Sequence, residues 1–176
     1  GRKPALQNFY EKNGVKGAVV SAVDLLKGIG ICAGMDTPEV KGATGYIDTD
    51  FEAKANAGIE AFKAGNDLVY LHFEAPDECG HRGEAENKVK AIELIDSKIA
   101  APVLEYLKGQ GDFRVLVMPD HPTPLATMTH SAEAVPYLIY DSRKEEKGAV
   151  SFTEANVKNG KYIEHGPSVM DMLLEK

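Results

Sequence analysis

Apolar and polar positions in this chain recur on two periods, and the changes of period divide it into elements. Residues 6–12 fit one short amphipathic helix, closed by Asn13-Gly14, a pair suited to the left-handed turn that ends helices. The apolar run KGAVVS at 16–21 predicts a buried strand. Residues 22–26 predict a brief helical turn ending in Lys27-Gly28-Ile29-Gly30. Residues 34–48 are rich in Gly, Thr, Pro and Asp and predict an extended loop. Asp48 or Thr49 can cap a helix over about 50–64, which Gly65-Asn66 ends.

The second half repeats the alternation. Residues 67–73 (DLVYLHF) are continuous, apolar and β-branched, the clearest strand signal in the chain. A long helix is expected over about 84–108. Val89, Ile92, Ile95, Ile99, Val103 and Leu107 lie near one face of it, and Pro102 should kink or divide it. Strands are expected at 113–118 (FRVLVM) and 135–140 (VPYLIY), and a last helix at 168–175. Strands alternating with helices predict an α/β fold with a mainly parallel sheet flanked by helices.

In such sheets ligands bind beyond the carboxyl ends of the strands. Asp77 and His81 follow the 67–73 strand, and Asp120-His121 follows the 113–118 strand. If residues 77–81 are helical, Asp77 and His81 share a face and can chelate one ion. Their plainer reading is a capping Asp and a surface His. Pro119 and Pro122 stiffen the turn around Asp120 and His121, which could equally be a simple turn with an exposed imidazole. His130 alone carries little weight, but five carboxylate and imidazole groups together suit Mn²⁺, Zn²⁺ or Mg²⁺. Cys79 lies on another side of such a helix. His72 reads as packed, and His165 as a capping or solvent-facing residue. Lys27 can meet a phosphate as a point charge, or simply be a solvated helix-end lysine.

Composition narrows the field. With 176 residues, 43% hydrophobic and 27% charged, the chain is expected to form a single domain over 1–176 with a real core. A net charge of −7 argues against broad nucleic-acid binding, so an anionic substrate needs local positive charge. No apolar run approaches membrane-spanning length. Two cysteines without a disulfide framework point to reduced thiols and a cytoplasmic location. The Gly28-Ile29-Gly30 run lacks the third glycine of a dinucleotide motif.

Six segments, SAVDLLKGIGICAGM, KGATGYIDTDFEAKA, LVYLHFEAPDECGHRGE, KVKAIELID, MPDHPTP and MTHSAEAVPYLIY, closely resemble the archaeal-type 2,3-bisphosphoglycerate-independent phosphoglycerate mutases of the alkaline phosphatase superfamily. The resemblance runs from Gly1 to Lys176. It implies an alkaline-phosphatase-like fold, two divalent metal ions (Mn²⁺ first, Zn²⁺ or Mg²⁺ as alternatives) and a phosphoglycerate substrate. It assigns Asp77, His81 and His130 to one metal and Asp120 and His121 to the second. Lys27 would contact the transferring phosphoryl group, and Arg2 the substrate. The family's nucleophilic Ser, a further metal-binding Asp and an inserted substrate domain have no counterpart here. The chain is therefore expected to be the C-terminal portion of the metalloenzyme domain, inactive alone. Two other readings stay open: a phosphatase or other phosphotransferase, including a homoserine-kinase-type activity, and a catalytically incomplete metal-binding module.

Overall fold

Strand β1 (Gly17–Val20) is buried along its whole length, with the helices Asp24–Cys32 and Phe51–Lys63 packed on it and neighbours hydrogen-bonded on both edges. On one side it pairs parallel with β2 (Leu68–Leu71), in a register from Gly17↔Leu68 to Val20↔Leu71. On the other, Ala18 bridges to Asp36: Val19 N donates to Asp36 O at 2.8 Å, and Asp36 N to Gly17 O at 3.0 Å. A strand whose side chains are buried on both faces shows no alternation, which explains its continuous apolar run. The computed structural model describes residues 4–144 and 146–175. Contacts divide the chain into two units, Gly1–Tyr106 and Leu107–Lys176.

In the first unit, helices α1 (Phe9–Asn13), α2 (Asp24–Cys32) and α3 (Phe51–Lys63) accompany the β1–β2 pair. Asn8 caps α1 by accepting from Glu11 N at 3.1 Å, and Gly14, with φ of 74°, ends it as Asn13-Gly14 predicts. Helix α2 is longer than the turn expected at 22–26 and runs through Gly28 and Gly30. It can do so because Gly30 is buried against Val19 and Thr37, where a side chain would not fit. Helix α3 is capped by Asp50, whose Oδ1 accepts from Ala53 N at 2.8 Å, and not by Asp48 or Thr49. Those two are spent folding the preceding loop: Thr49 Oγ1 accepts from Thr44 N, and Asp48 Oδ1 from Thr44 Oγ1.

The core gathers Phe51, Ala55, Ala75, Ala91 and Ile99, with Phe51 stacked on Phe73 at 6.1 Å between ring centroids. Burying a side chain like Phe51 contributes roughly 1.5–3 kcal/mol. Two helices after β2 complete this core, α4 (Ala75–His81) and α5 (Ala85–Ile95). The helix expected over 84–108 is α5, a π-helical turn at Asp96–Ala100, and α6 (Ala101–Lys108). The wide turn sits just ahead of Pro102, whose ring would otherwise meet the carbonyl one α-helical turn back.

In the second unit, β3 (Arg114–Val117) and β4 (Leu138–Asp141) pair antiparallel, from Arg114↔Asp141 to Val117↔Leu138. The parallel pairing expected from sequence holds for β1 and β2 but not here. Residues 118–137 return as irregular turns with no helical crossover, and parallel strands need one. Strand β4 begins at Leu138 rather than 135, because Pro136 has no N–H to give a ladder. Helix α7 (Glu154–Val157) is capped by Thr153, and α8 (Ser168–Leu174) closes the unit. The Arg114 guanidinium donates to the Leu173 carbonyl, tying α8 to β3. Among the described residues no helix is long and apolar enough to cross a membrane.

Candidate metal centre

After β2 the chain turns through Phe73 and Glu74 into α4. Pro76 lies in the first turn of that helix, where a missing N–H leaves no bond unmade. Ala75 and Cys79, four residues apart, form its inward stripe and are 1% and 0% exposed. Asp77 and His81 form a second stripe of the same spacing. Their side chains are about a third exposed, with Asp77 Oδ2 3.4 Å from His81 Nε2. Two ligands about 2.1 Å from one ion stand roughly 3.0–3.4 Å apart, so the pair has the spacing of a chelate. Burial pushes the Cys79 thiol up, and its place on the inward stripe turns it away from the Asp77–His81 pair.

The second unit carries the other predicted ligands. Asp120 and His121 follow β3 directly. Asp120 Oδ1 accepts from His121 N at 3.0 Å, and Asp120 Oδ2 lies 3.4 Å from His121 Nε2. His130 returns to the same place, its ring centroid 3.7 Å from that of His121. Thr123, buried two residues on, sets Oγ1 3.4 Å from His121 Nδ1. Asp120 and His121 therefore pair within this unit with the His130 ring against His121, and carboxylate and imidazole are donor types that suit a divalent transition metal.

Lys27 is in the first half of α2, not at a helix end. Its ammonium pairs with Asp24 at 3.0 Å and Glu39 at 3.6 Å. The Asp24 hydrogen bond first, and Glu39 beyond it, hold its pKa above the ordinary lysine value. An anion arriving here must compete with two carboxylates. Arg2 lies outside the described residues.

The other candidates have structural partners. His72 Nδ1 meets Ser21 Oγ at 3.1 Å, and the His72 ring stacks with Tyr70. Ser21 Oγ also accepts from Val23 N at 3.0 Å. The His165 carbonyl accepts from Ser168 Oγ at 2.7 Å at the start of α8. Cys32 and Cys79 are free thiols.

Sequence reasoning missed Lys54 and Tyr46, which lie around α4. Lys54 is 1% exposed, and burial pushes its ammonium down from the usual lysine value. A signal for it existed: Lys54 falls on the stripe of Phe51, Ala55 and Gly58, the buried face of α3. No periodic signal marks Tyr46.

A model of the metalloenzyme superfamily matches residues 2–176. A 2,3-bisphosphoglycerate-independent phosphoglycerate mutase of Methanosarcina mazei is 53% identical over 162 residues, covering 91% of this chain and 41% of that protein. Among solved structures, the PH0037 protein from Pyrococcus horikoshii superposes with a TM-score of 0.85 at 30% identity, over 99% of this chain and 53% of that one. A cofactor-independent phosphoglycerate mutase from Thermoplasma acidophilum gives 0.69 at 26% identity, over 98% of this chain and 39% of that one. The α/β, alkaline-phosphatase-like class expected from sequence stands. The chain spans about two fifths of the length of the curated relatives it matches.

Proposed function

The chain belongs to the metalloenzyme superfamily, and we propose that it supplies metal ligands and a phosphoryl-binding lysine to a phosphoglycerate mutase. Asp77, His81 and His130 hold one divalent ion, and Asp120 and His121 are two ligands of a second. Mn²⁺ is the first choice, with Zn²⁺ or Mg²⁺ as alternatives. The observation that carries the reading is a repeated one: Asp77–His81 and Asp120–His121 each set a carboxylate 3.4 Å from an imidazole in the stretch after a strand.

Such ions, when bound, polarise phosphoryl oxygens and lower the pKa of an attacking hydroxyl. The Lys27 ammonium meets the equatorial oxygens of the transferring group as a compact charge. Its 3.6 Å pairing with Glu39 is the looser of its two and the easier to give up. Thr123 orients His121 through its hydroxyl, and Arg2 contacts the substrate. The reaction is the interconversion of 3-phosphoglycerate and 2-phosphoglycerate through a phosphoserine carried by a serine outside these residues. Ser21 does not suit that role, because it is buried and its hydroxyl oxygen accepts from Val23 N. The same commitment favours a second reading, in which the chain by itself binds metal and turns over nothing.

Grafting tests this. In a chimera, this chain replaces the matching stretch of the Methanosarcina mazei mutase, and 3-phosphoglycerate, O-phosphohomoserine and p-nitrophenyl phosphate are assayed. The proposal expects 2-phosphoglycerate from the first. Turnover of only one of the others transfers the reading to a phosphotransferase or phosphatase. A folded chimera inactive on all three leaves the metal-binding module.

A further inference from the structure

Helix α4 is only seven residues long, and no side chain caps its N-terminus. A helix of that length has little stability of its own, so neighbouring groups must impose its position and the direction of its side chains. One segment touches both of its ends. At the N-terminal end, Gly45 lies so close to Glu74 that a Cβ there would collide with the Glu74 carboxylate. At the C-terminal end, the Arg82 guanidinium, one residue beyond His81, lies 4.2 Å over the Tyr46 ring. The Tyr46 hydroxyl donates to Glu84 Oε2, which also accepts from Asn87 Nδ2 at 2.8 Å.

The segment is itself held. Lys54 Nζ donates to the Thr44 carbonyl at 3.1 Å and stands 5.2 Å from the centroid of Phe73, the residue before Glu74. The Thr44 amide and hydroxyl are fixed by Thr49 and Asp48. A methionine would fill the volume of Lys54 without the cost of burying an ammonium. What Lys54 adds is therefore the charged hydrogen bond to Thr44, the contact with Phe73 and the attraction of its ammonium to the Glu74 carboxylate.

We propose that residues 44–46, anchored by Lys54, form a strap that fixes α4 and so sets the aim of Asp77 and His81. Tyr46 and Lys54 are positioning residues. Their consequence for metal rests on the ligand roles proposed above, whereas their hold on α4 does not.

The test uses the whole chain with Tyr46→Leu, Tyr46→Phe, Lys54→Met and Lys54→Arg, and two readouts. Hydrogen exchange without metal reports on α4, and Mn²⁺ titration reports on its ligands. Tyr46→Leu and Lys54→Met should speed exchange across residues 77–83 while β1 and β2 keep wild-type protection. They should weaken Mn²⁺ binding about tenfold or more, as loss of a group supporting a ligand does. Tyr46→Phe and Lys54→Arg should recover part of both. Wild-type exchange in α4 for Tyr46→Leu overturns the strap, and so does a loss of protection spread evenly over the unit. Tyr46 is half-buried, so its variants decide the matter even if Lys54→Met does not fold. If the wild-type chain binds no Mn²⁺, the ligand assignment falls and the exchange pattern alone judges the strap.

Discussion

Arg143 grips the Asp141 carboxylate with two hydrogen bonds, Nε to Oδ1 at 2.9 Å and Nη2 to Oδ2 at 2.6 Å. Arg114 Nε adds a contact at 3.3 Å across the β3–β4 ladder, and Lys144 one at 3.5 Å. The Arg143 hydrogen bonds hold the Asp141 carboxyl far below the ordinary carboxylate range. A depressed folded-state pKa stabilises the fold fully above the unfolded value of about 4, and the contribution drains away as pH falls toward the folded value. Asp141→Asn should therefore melt below wild type at pH 7, and the gap should close as pH drops below about 4. Melting curves from pH 7 to pH 2 check this, and a gap independent of pH contradicts it.

Two glycines of α2 should respond in opposite directions. Nothing lies within 4 Å of a Cβ built on Gly28, whereas one on Gly30 would sit 2.8 Å from Thr37 Cγ2 and 3.2 Å from Val19 Cγ2. Gly28→Ala should stabilise by about 0.5–1 kcal/mol through helix propensity alone. Gly30→Ala gains the same but meets an overpacking cost of about 1–3 kcal/mol, so the net is destabilising. Urea unfolding of both variants decides, and two shifts of the same sign would refute this account of α2.

The same helix shows where the sequence stops informing. Local pattern located β1, β2, α3 and the Asp77–His81 stripe, because burial and periodicity act on neighbours in sequence. The length of α2 was hidden, since Gly28 and Gly30 look like a terminus until Gly30 is seen against Val19 on β1. Asp50 was passed over as the cap because the loop tie between Thr44, Asp48 and Thr49 is not written in any period. The antiparallel β3–β4 pair depends on the path of residues 118–137, which no spacing announces. Within the candidate site, residue type and place after a strand marked four of the five ligand candidates, whereas His130 follows a polar loop and is joined to Asp77 and His81 only by the family resemblance. Glu39, which reaches Lys27 from a loop twelve positions on, could not be read.

Lys27 is proposed to act on the phosphoryl group and not on the metals. In the grafted mutase, Lys27→Met should lower kcat/KM by about 10²–10³, the usual loss for one donor to transition-state charge. The Mn²⁺ affinity of the variant should equal that of the parent. A parallel loss of metal binding, or full activity, would contradict the role.

The central claim is that these carboxylates and imidazoles are metal ligands, and Mn²⁺ titration of the chain tests it most directly. Asp77→Asn, His81→Ala, Asp120→Asn, His121→Ala and His130→Ala are compared with wild type at matched fold by circular dichroism. The account predicts that wild type binds Mn²⁺ and that His81→Ala and His130→Ala each weaken binding at least tenfold and by more than Tyr46→Leu does, because they remove a ligand and not its support. Equal Mn²⁺ affinity in wild type and all five variants would contradict it.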